Sequence, residues 1–174
     1  TSLFVGSVRC VYETDGVLTA EENRSHFTMW CMLAAPLLAG NDLRTMDRET
    51  LSILTNKDVI AINQDKLGIQ GRRYMKIEQH EIWVKQLSDG EAAVGFFNRD
   101  EQPWTFEYQF GKDKSHLHFA DIRFWELEYD VYDIWDGNRH LGTSNDNLSF
   151  KVPAHGVVSV SYTHLRAHET VLDL

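Results

Sequence analysis

Thr19-Ala20-Glu21-Glu22-Asn23-Arg24-Ser25-His26-Phe27-Thr28-Met29-Trp30-Cys31-Met32-Leu33-Ala34-Ala35-Pro36-Leu37-Leu38-Ala39-Gly40-Asn41-Asp42 is the stretch on which the fold turns. Thr19 followed three residues later by Glu22 is a capping box, the signature of a helix start. Phe27, Trp30, Cys31 and Ala34 then recur at helical spacing, a stripe that predicts a core-facing helix running to Pro36. Leu37 to Gly40 reads as a short buried strand, and Asn41-Asp42 as the polar turn at its C-terminal end. Downstream, Asp47 is positioned to cap a helix carrying Leu51, Ile53 and Leu54, and a further helical turn spans about Val59 to Asn63. Helix, strand, polar turn and helix in succession is the rhythm of parallel α/β architecture, where functional groups gather at the C-terminal ends of strands.

Beyond Gly71 the pattern changes to alternating aromatic and polar residues between turn signals. Glu81 to Leu87, a break at Ser88-Asp89-Gly90, and Ala92 to Phe97 form a hairpin signal. Strands are also predicted at Trp104 to Phe110, Asp130 to Trp135, Leu148 to Val152 and Val157 to Val160, with turns at Asp136-Gly137-Asn138 and Pro153-Ala154-His155-Gly156. Such a series folds as an antiparallel sandwich. The stretch from Lys112 to Tyr129 shows no turn signal and no clear period.

The 174 residues suffice for two small domains, with 43% hydrophobic and 25% charged residues. A net charge of −9 argues against a nucleic-acid partner and against an anionic membrane surface, since both demand basic residues. No apolar run approaches the roughly 20 residues of a membrane span. The opening residues lack the basic-then-apolar order of a signal peptide. Cys10 and Cys31 are too few for a disulfide framework and read as two thiols. Asn23-Arg24-Ser25 and Asn147-Leu148-Ser149 fit the glycosylation sequon, which matters in a secreted eukaryotic protein.

His26 to Arg44 resembles the late-barrel signature of glycoside hydrolase family 27, the α-galactosidases, and Ile53 to Asp65 resembles the segment that closes the family's barrel. Gly71-Arg72-Arg73, Ile82 to Gly90, Val94 to Arg99, Val131 to Trp135 with Leu141-Gly142, and Val152 to Val158 are similar to the family's C-terminal domain in order and spacing. The resemblance implies the last part of a (β/α)8 TIM barrel over residues 1–73 and an antiparallel β-sandwich over residues 74–159. It implies a retaining exo-α-galactosidase that needs no cofactor or metal and acts on terminal α-galactosides. Close alternatives are an α-N-acetylgalactosaminidase or a β-L-arabinopyranosidase, and outside that class a non-catalytic carbohydrate-binding module.

A retaining glycosidase needs two carboxylates about 5 to 5.5 Å apart. In the family both are aspartates on strands earlier than the helix beginning near Thr19, so no catalytic residue is assigned and the chain by itself is expected to be inactive. Leu3-Phe4-Val5-Gly6 resembles the tail of a family segment whose second Asp lies near the sugar, but Thr1-Ser2 stand where Asp-Met belongs. Asn41 and Asp42 are the candidate substrate-proximal residues, at a strand end where such a pair more often caps and orders a loop. Glu13 and Asp15 read as an acidic loop. Trp83, Trp104, Trp125 and Trp135 are read as core aromatics before sugar platforms, and His155 has no second ligand at metal spacing. Finally, Val160 to Thr170 resembles the codon-by-codon translation of a transposase sequencing adapter. Residues 160–174 are therefore expected to be a non-native tail outside the fold, and the chain to derive from a truncated reading frame.

Overall fold

The computed structural model describes residues 18–40, 44–109 and 127–164. The first described element is α1 (Ala20–Met32), whose capping box forms as expected: the Glu22 N–H donates to Thr19 Oγ1 at 3.3 Å, and Glu22 Oε2 accepts from the Thr19 N–H at 2.7 Å. The helix stops short of Pro36. The Ala34 N–H donates to Cys31 O at 3.2 Å and the Ala35 N–H to Trp30 O at 3.1 Å, while Ala34 adopts φ 50. This is the Schellman arrangement, which closes the last carbonyls before the proline ring forces the preceding residue out of the helical region. Ala34 therefore leaves the apolar stripe to which its spacing assigned it.

Two short helices follow, α2 (Arg48–Leu54) and α3 (Lys57–Asn63). Asp47 caps α2 by accepting from the Thr50 N–H at 2.8 Å. Asn56 caps α3 by accepting from the Asp58 and Val59 N–H groups, both at 3.1 Å. Each cap satisfies amides that a helix start leaves without a partner.

Among the described residues eight strands follow: β1 (Arg72–Ile77), β2 (His80–Gln86), β3 (Ala92–Asn98), β4 (Trp104–Tyr108), β5 (Tyr129–Asp133), β6 (Arg139–Thr143), β7 (Leu148–Val152) and β8 (Val157–His164). Six form an antiparallel sheet in the order β1-β2-β3-β8-β5-β6, and β4 pairs with β7 in a second, two-stranded sheet. Between the sheets lie Val84, Val94, Phe96, Val131, Phe150, Val152, Val160 and Tyr162, with the Phe96 ring 4.8 Å from Phe150 and 4.9 Å from Phe106. The outer face of the large sheet is covered by the helices, where Phe27, Cys31, Met32, Ile53, Val59 and Ile62 pack with Leu87, Ala93 and Ile134. Because side chains alternate across a strand, β3 is loaded on both faces, and all seven of its residues are buried.

Three expectations need correction. Leu37 to Gly40 forms no strand, and Leu38 is 64% exposed. A strand is a pairing, and among the described residues no other strand lies alongside this one. The expected boundary between residues 73 and 74 falls inside β1, where Arg72 and Arg73 already pair with Val84 and Trp83. Nor does the fold end at Ser159: β8 runs to His164 between β3 and β5, with Val160 and Tyr162 fully buried. The reason is periodicity, since Val160 and Tyr162 alternate with Ser161 and Thr163 and so continue the inward-outward pattern of the strand. Residues 165–174, the remainder of the expected tail, lie outside the described residues.

Candidate functional site

The candidate substrate-proximal pair, Asn41 and Asp42, lies outside the described residues, as do Glu13, Asp15, Cys10 and Trp125. The structure does define the helix end that precedes this pair in the chain. Asn63, at the end of α3, donates from Nδ2 to Ala35 O at 2.8 Å and to Trp30 O at 3.4 Å. The Gly71 N–H donates to Met32 O at 2.7 Å. A side chain at Gly71 would place Cβ 3.0 Å from that same oxygen, so the close approach requires glycine. Asn63 and Gly71 thus hold both sides of the helix end from which Leu37 to Gly40 departs. Sequence reasoning missed Asn63, which stood there only as the last residue of a helical turn; a buried Asn at a helix end is the signal that a backbone carbonyl needs a donor.

The helices and the sheet are joined by further polar contacts, each paired as burial demands. The Trp135 Nε1–H donates to Thr28 Oγ1 at 3.0 Å, and Ser25 Oγ donates to His155 O at 2.9 Å. Lys85 on β2 is fully buried and donates from Nζ to Cys31 O at 3.3 Å. Burial pulls the Lys85 amine below its usual range, and the Asp65 carboxylate opposes that fall. Burial pushes the Cys31 thiol up to about 12, with Lys85 opposing, so the sulfur stays protonated and unreactive. Asp65 accepts from the Ser88 N–H, the Ser88 hydroxyl and the Leu67 N–H, tying the loop after α3 to the β2–β3 turn.

Elsewhere the charged groups are structural. Glu81, 5% exposed, accepts from the Trp83 Nε1–H at 2.9 Å and faces Arg73 and Arg99, each at 3.4 Å. Burial alone would raise its pKa, but the Trp83 hydrogen bond and the two guanidinium groups outweigh burial and hold Glu81 below the usual carboxylate range. Asp133 differs in that burial, its largest influence, prevails and holds its carboxyl above the usual range. Its Oδ1 accepts from the Trp135 and Asp136 N–H groups, so it orders the turn after β5. Trp83 and Trp135 pack on the helical layer and Trp104 against the inter-sheet core, which places all three in packing roles. His155 pairs with Glu101 at 3.1 Å. Among the described residues no three His, Cys, Asp or Glu side chains converge as metal ligands would.

The described residues build a junction between the three helices and the six-stranded sheet. Comparison with known proteins gives that junction a context. The model of the "Alpha galactosidase A" family matches residues 12–65, and that of the "Alpha galactosidase C-terminal beta sandwich domain" matches residues 78–162. Alpha-galactosidase A of Cellvibrio japonicus is 43% identical over 148 residues, which is 84% of this chain and 36% of that protein. Alpha-N-acetylgalactosaminidase of Gallus gallus is 35% identical over 144 residues, 81% of this chain and 34% of that protein. The crystal structure of alpha-galactosidase I from Mortierella vinacea superposes with a TM-score of 0.74 at 26% identity, covering 87% of this chain and 38% of that one. The chain thus spans about a third of the length of the relatives it matches. Two family models matched in order, on a helical segment and on the sandwich that covers it, place the chain in glycoside hydrolase family 27, the α-galactosidases, as the last part of the barrel followed by the C-terminal β-sandwich.

Proposed function

We propose that this chain supplies the closing segment of the barrel and the C-terminal sandwich to a retaining exo-α-galactosidase acting on terminal α-galactosides, with both catalytic aspartates on barrel strands that precede it. The observation that supports this reading is the order of the two family matches, 12–65 and then 78–162, across a junction packed as one unit. On this reading the chain's part in catalysis is positional. Asn63, Gly71 and Lys85 fix the end of α1, and from that end the chain runs on to Asn41 and Asp42, the candidate substrate-proximal pair. Positioning of this kind matters because small displacements of reacting groups cost large factors in rate.

A chimera tests the reading. Residues 18–162 replace the matching segment of the Cellvibrio japonicus enzyme, and hydrolysis of an aryl α-galactoside is measured. The chimera is expected to hydrolyse it, and the chain alone to give no release above the no-protein background. A folded but inactive chimera, or an active chain, overturns the proposal. The chicken relative supports α-N-acetylgalactosaminidase as a second reading. Assay of the complete enzyme on both aryl glycosides separates the two, and a preference for the N-acetylated substrate replaces the first reading with the second.

A further inference from the structure

On α1, the Trp30 Nε1–H donates to His26 Nε2 at 3.0 Å, with the two rings edge to face at 6.1 Å and 84°. An indole nitrogen only donates, so His26 Nε2 must present its lone pair and the imidazole must be neutral, with its proton on Nδ1. Protonation would place two N–H groups head to head. Trp30 packs against the helix–sheet core, and its carbonyl is the one that Ala35 and Asn63 share. His26 lines a groove between α1 and the sheet with Leu18, Glu22, Ser25, Arg99 and His155. We propose that the His26–Trp30 pair is an acid-sensitive latch: protonation of His26 breaks the bond and loosens the end of α1 from the β-sandwich.

The surroundings favour the neutral ring. Burial lowers the pKa of His26. From its own helix Glu22 reaches the groove, but that carboxylate is spent on the Thr19 amide and hydroxyl. From the sheet side come Arg99, held by Glu81, and His155, held by Glu101. Toward the other end of α1 stand Lys85 and Asp65, while α2 carries Arg48 and Glu49 and α3 carries Lys57 and Asp58. Acidification thus adds positive charge to a groove in which Arg99 is already cationic and the nearby carboxylates are engaged.

The sign of the linkage follows. With the folded-state pKa below the unfolded value of about 6.5, the unfolded chain takes up the proton first. The contribution is present in full above pH 6.5 and is lost as pH falls toward the folded-state pKa. Glu22, Asp47, Asp65 and Glu81 are held below their ordinary values, so their own losses come at lower pH, below about 4.5.

The test is a pH titration of the full chain between pH 7.5 and 5, reading the Trp30 indole N–H resonance and the thermal midpoint together. The indole signal, identified by its loss in Trp30→Phe, is expected to shift with the His26 ring, and Tm to fall by about 2–4 °C across the same range. In His26→Gln, whose amide oxygen accepts a hydrogen bond without titrating, Tm over that range is expected to be flat. An indole resonance that ignores the His26 titration overturns the latch, as does an equal pH slope in His26→Gln. The wild-type resonance decides the matter even where the variant fails to fold.

Discussion

The two faces of the six-stranded sheet are covered by layers of different kinds. On the inner face β4 and β7 seal a core in which Phe96, Val131, Val152, Val160 and Tyr162 are inaccessible to solvent. On the outer face α1, α2 and α3 bury one stripe each against Leu87, Ala93 and Ile134, yet leave Leu51 49% and Leu38 64% exposed. The inner core consists of residues that find their partners within the sandwich, whereas the helical layer turns part of its apolar surface away from the sheet. The polar pins differ as well. Thr28, Ser25 and Lys85 work at the helix–sheet junction and Asn63 ties α3 to the end of α1, where apolar burial is one-sided and a directional bond fixes the helix orientation that packing alone leaves free. The large sheet is thus a common wall: self-sufficient on one side and a docking floor on the other.

The sharpest way to break this comparison is to shorten β8. The strand pairs with β3 on one side and β5 on the other, so a chain ending at Ser159 loses the buried Val160 and Tyr162 and the middle of the sheet from residue 160 onward. Full burial of each such side chain contributes about 1.5–3 kcal/mol, before the lost ladder bonds are counted. Termination after Ser159 is expected to abolish cooperative unfolding, while termination after His164 leaves Tm unchanged. Equal melting curves for the two forms would show that the strand past Ser159 is dispensable, as the adapter reading expected.

A smaller but still large effect is expected inside the sandwich. Phe96→Ala removes a ring stacked among Phe106, Tyr108 and Phe150, for a loss of about 3–5 kcal/mol in urea unfolding. Because Phe96 lies on the wall that both layers share, near-UV signals from the helical layer and from the sandwich are expected to disappear in one transition. Two separated transitions would mean that the helices hold together without their floor.

How much of this was legible follows the same division. The hairpin at Ser88-Asp89-Gly90 and the strand Leu148–Val152 were readable because buried strands alternate or run apolar, and their turns carry Asp and Gly. The two strands that went unread, Arg72–Ile77 and Arg139–Thr143, are the two edges of the large sheet. Edge strands carry charge and polarity that guard against pairing with other chains, so the alternation that marks a strand is blunted there. Leu37 to Gly40 failed in the opposite sense. Its apolar run was read as buried strand, but burial depends on a partner, and sequence period carries no information about whether that partner is present. The starts of α1 and α2 were legible because a cap is a local device written within four residues, whereas the Asn56 cap of α3 went unread and that helix was expected to begin two residues late. Asn63 was not legible, because its targets, Trp30 and Ala35, lie 33 and 28 positions away.

Local devices contribute locally, which sets a third and smaller expectation. Thr19→Ala removes the side-chain half of the capping box and leaves the Glu22 N–H without its acceptor. The cost is expected to be about 1 kcal/mol. The effect is expected in α1 alone: faster hydrogen exchange at the amides of residues 20–23, with the protection of β2 and β3 unaltered. Matching losses in β2 and β3 would mean that the start of α1 is coupled to the sandwich as tightly as the sheet is to itself.

The smallest effect is expected where the comparison is most lopsided. Leu51 lies on α2 beside the buried Ile53, but its own side chain is 49% exposed, whereas Ile53 is 2% exposed. Helix spacing alone marks both residues as apolar members of one segment; the structure separates them, because α2 turns Ile53 toward Phe27 and Val59 and leaves Leu51 at the edge of the layer. Leu51→Lys keeps helix propensity nearly constant, buries no new charge and removes half-solvated apolar surface. Its effect on the unfolding free energy is therefore expected to stay within about 0.5 kcal/mol. The paired change Ile53→Ala is expected to cost about 2–5 kcal/mol, because it opens a cavity against the same helices. If Leu51→Lys proves as damaging as Ile53→Ala, Leu51 is buried in solution against a surface beyond the three helices, and the outer layer is more complete than the sheet's two faces suggest.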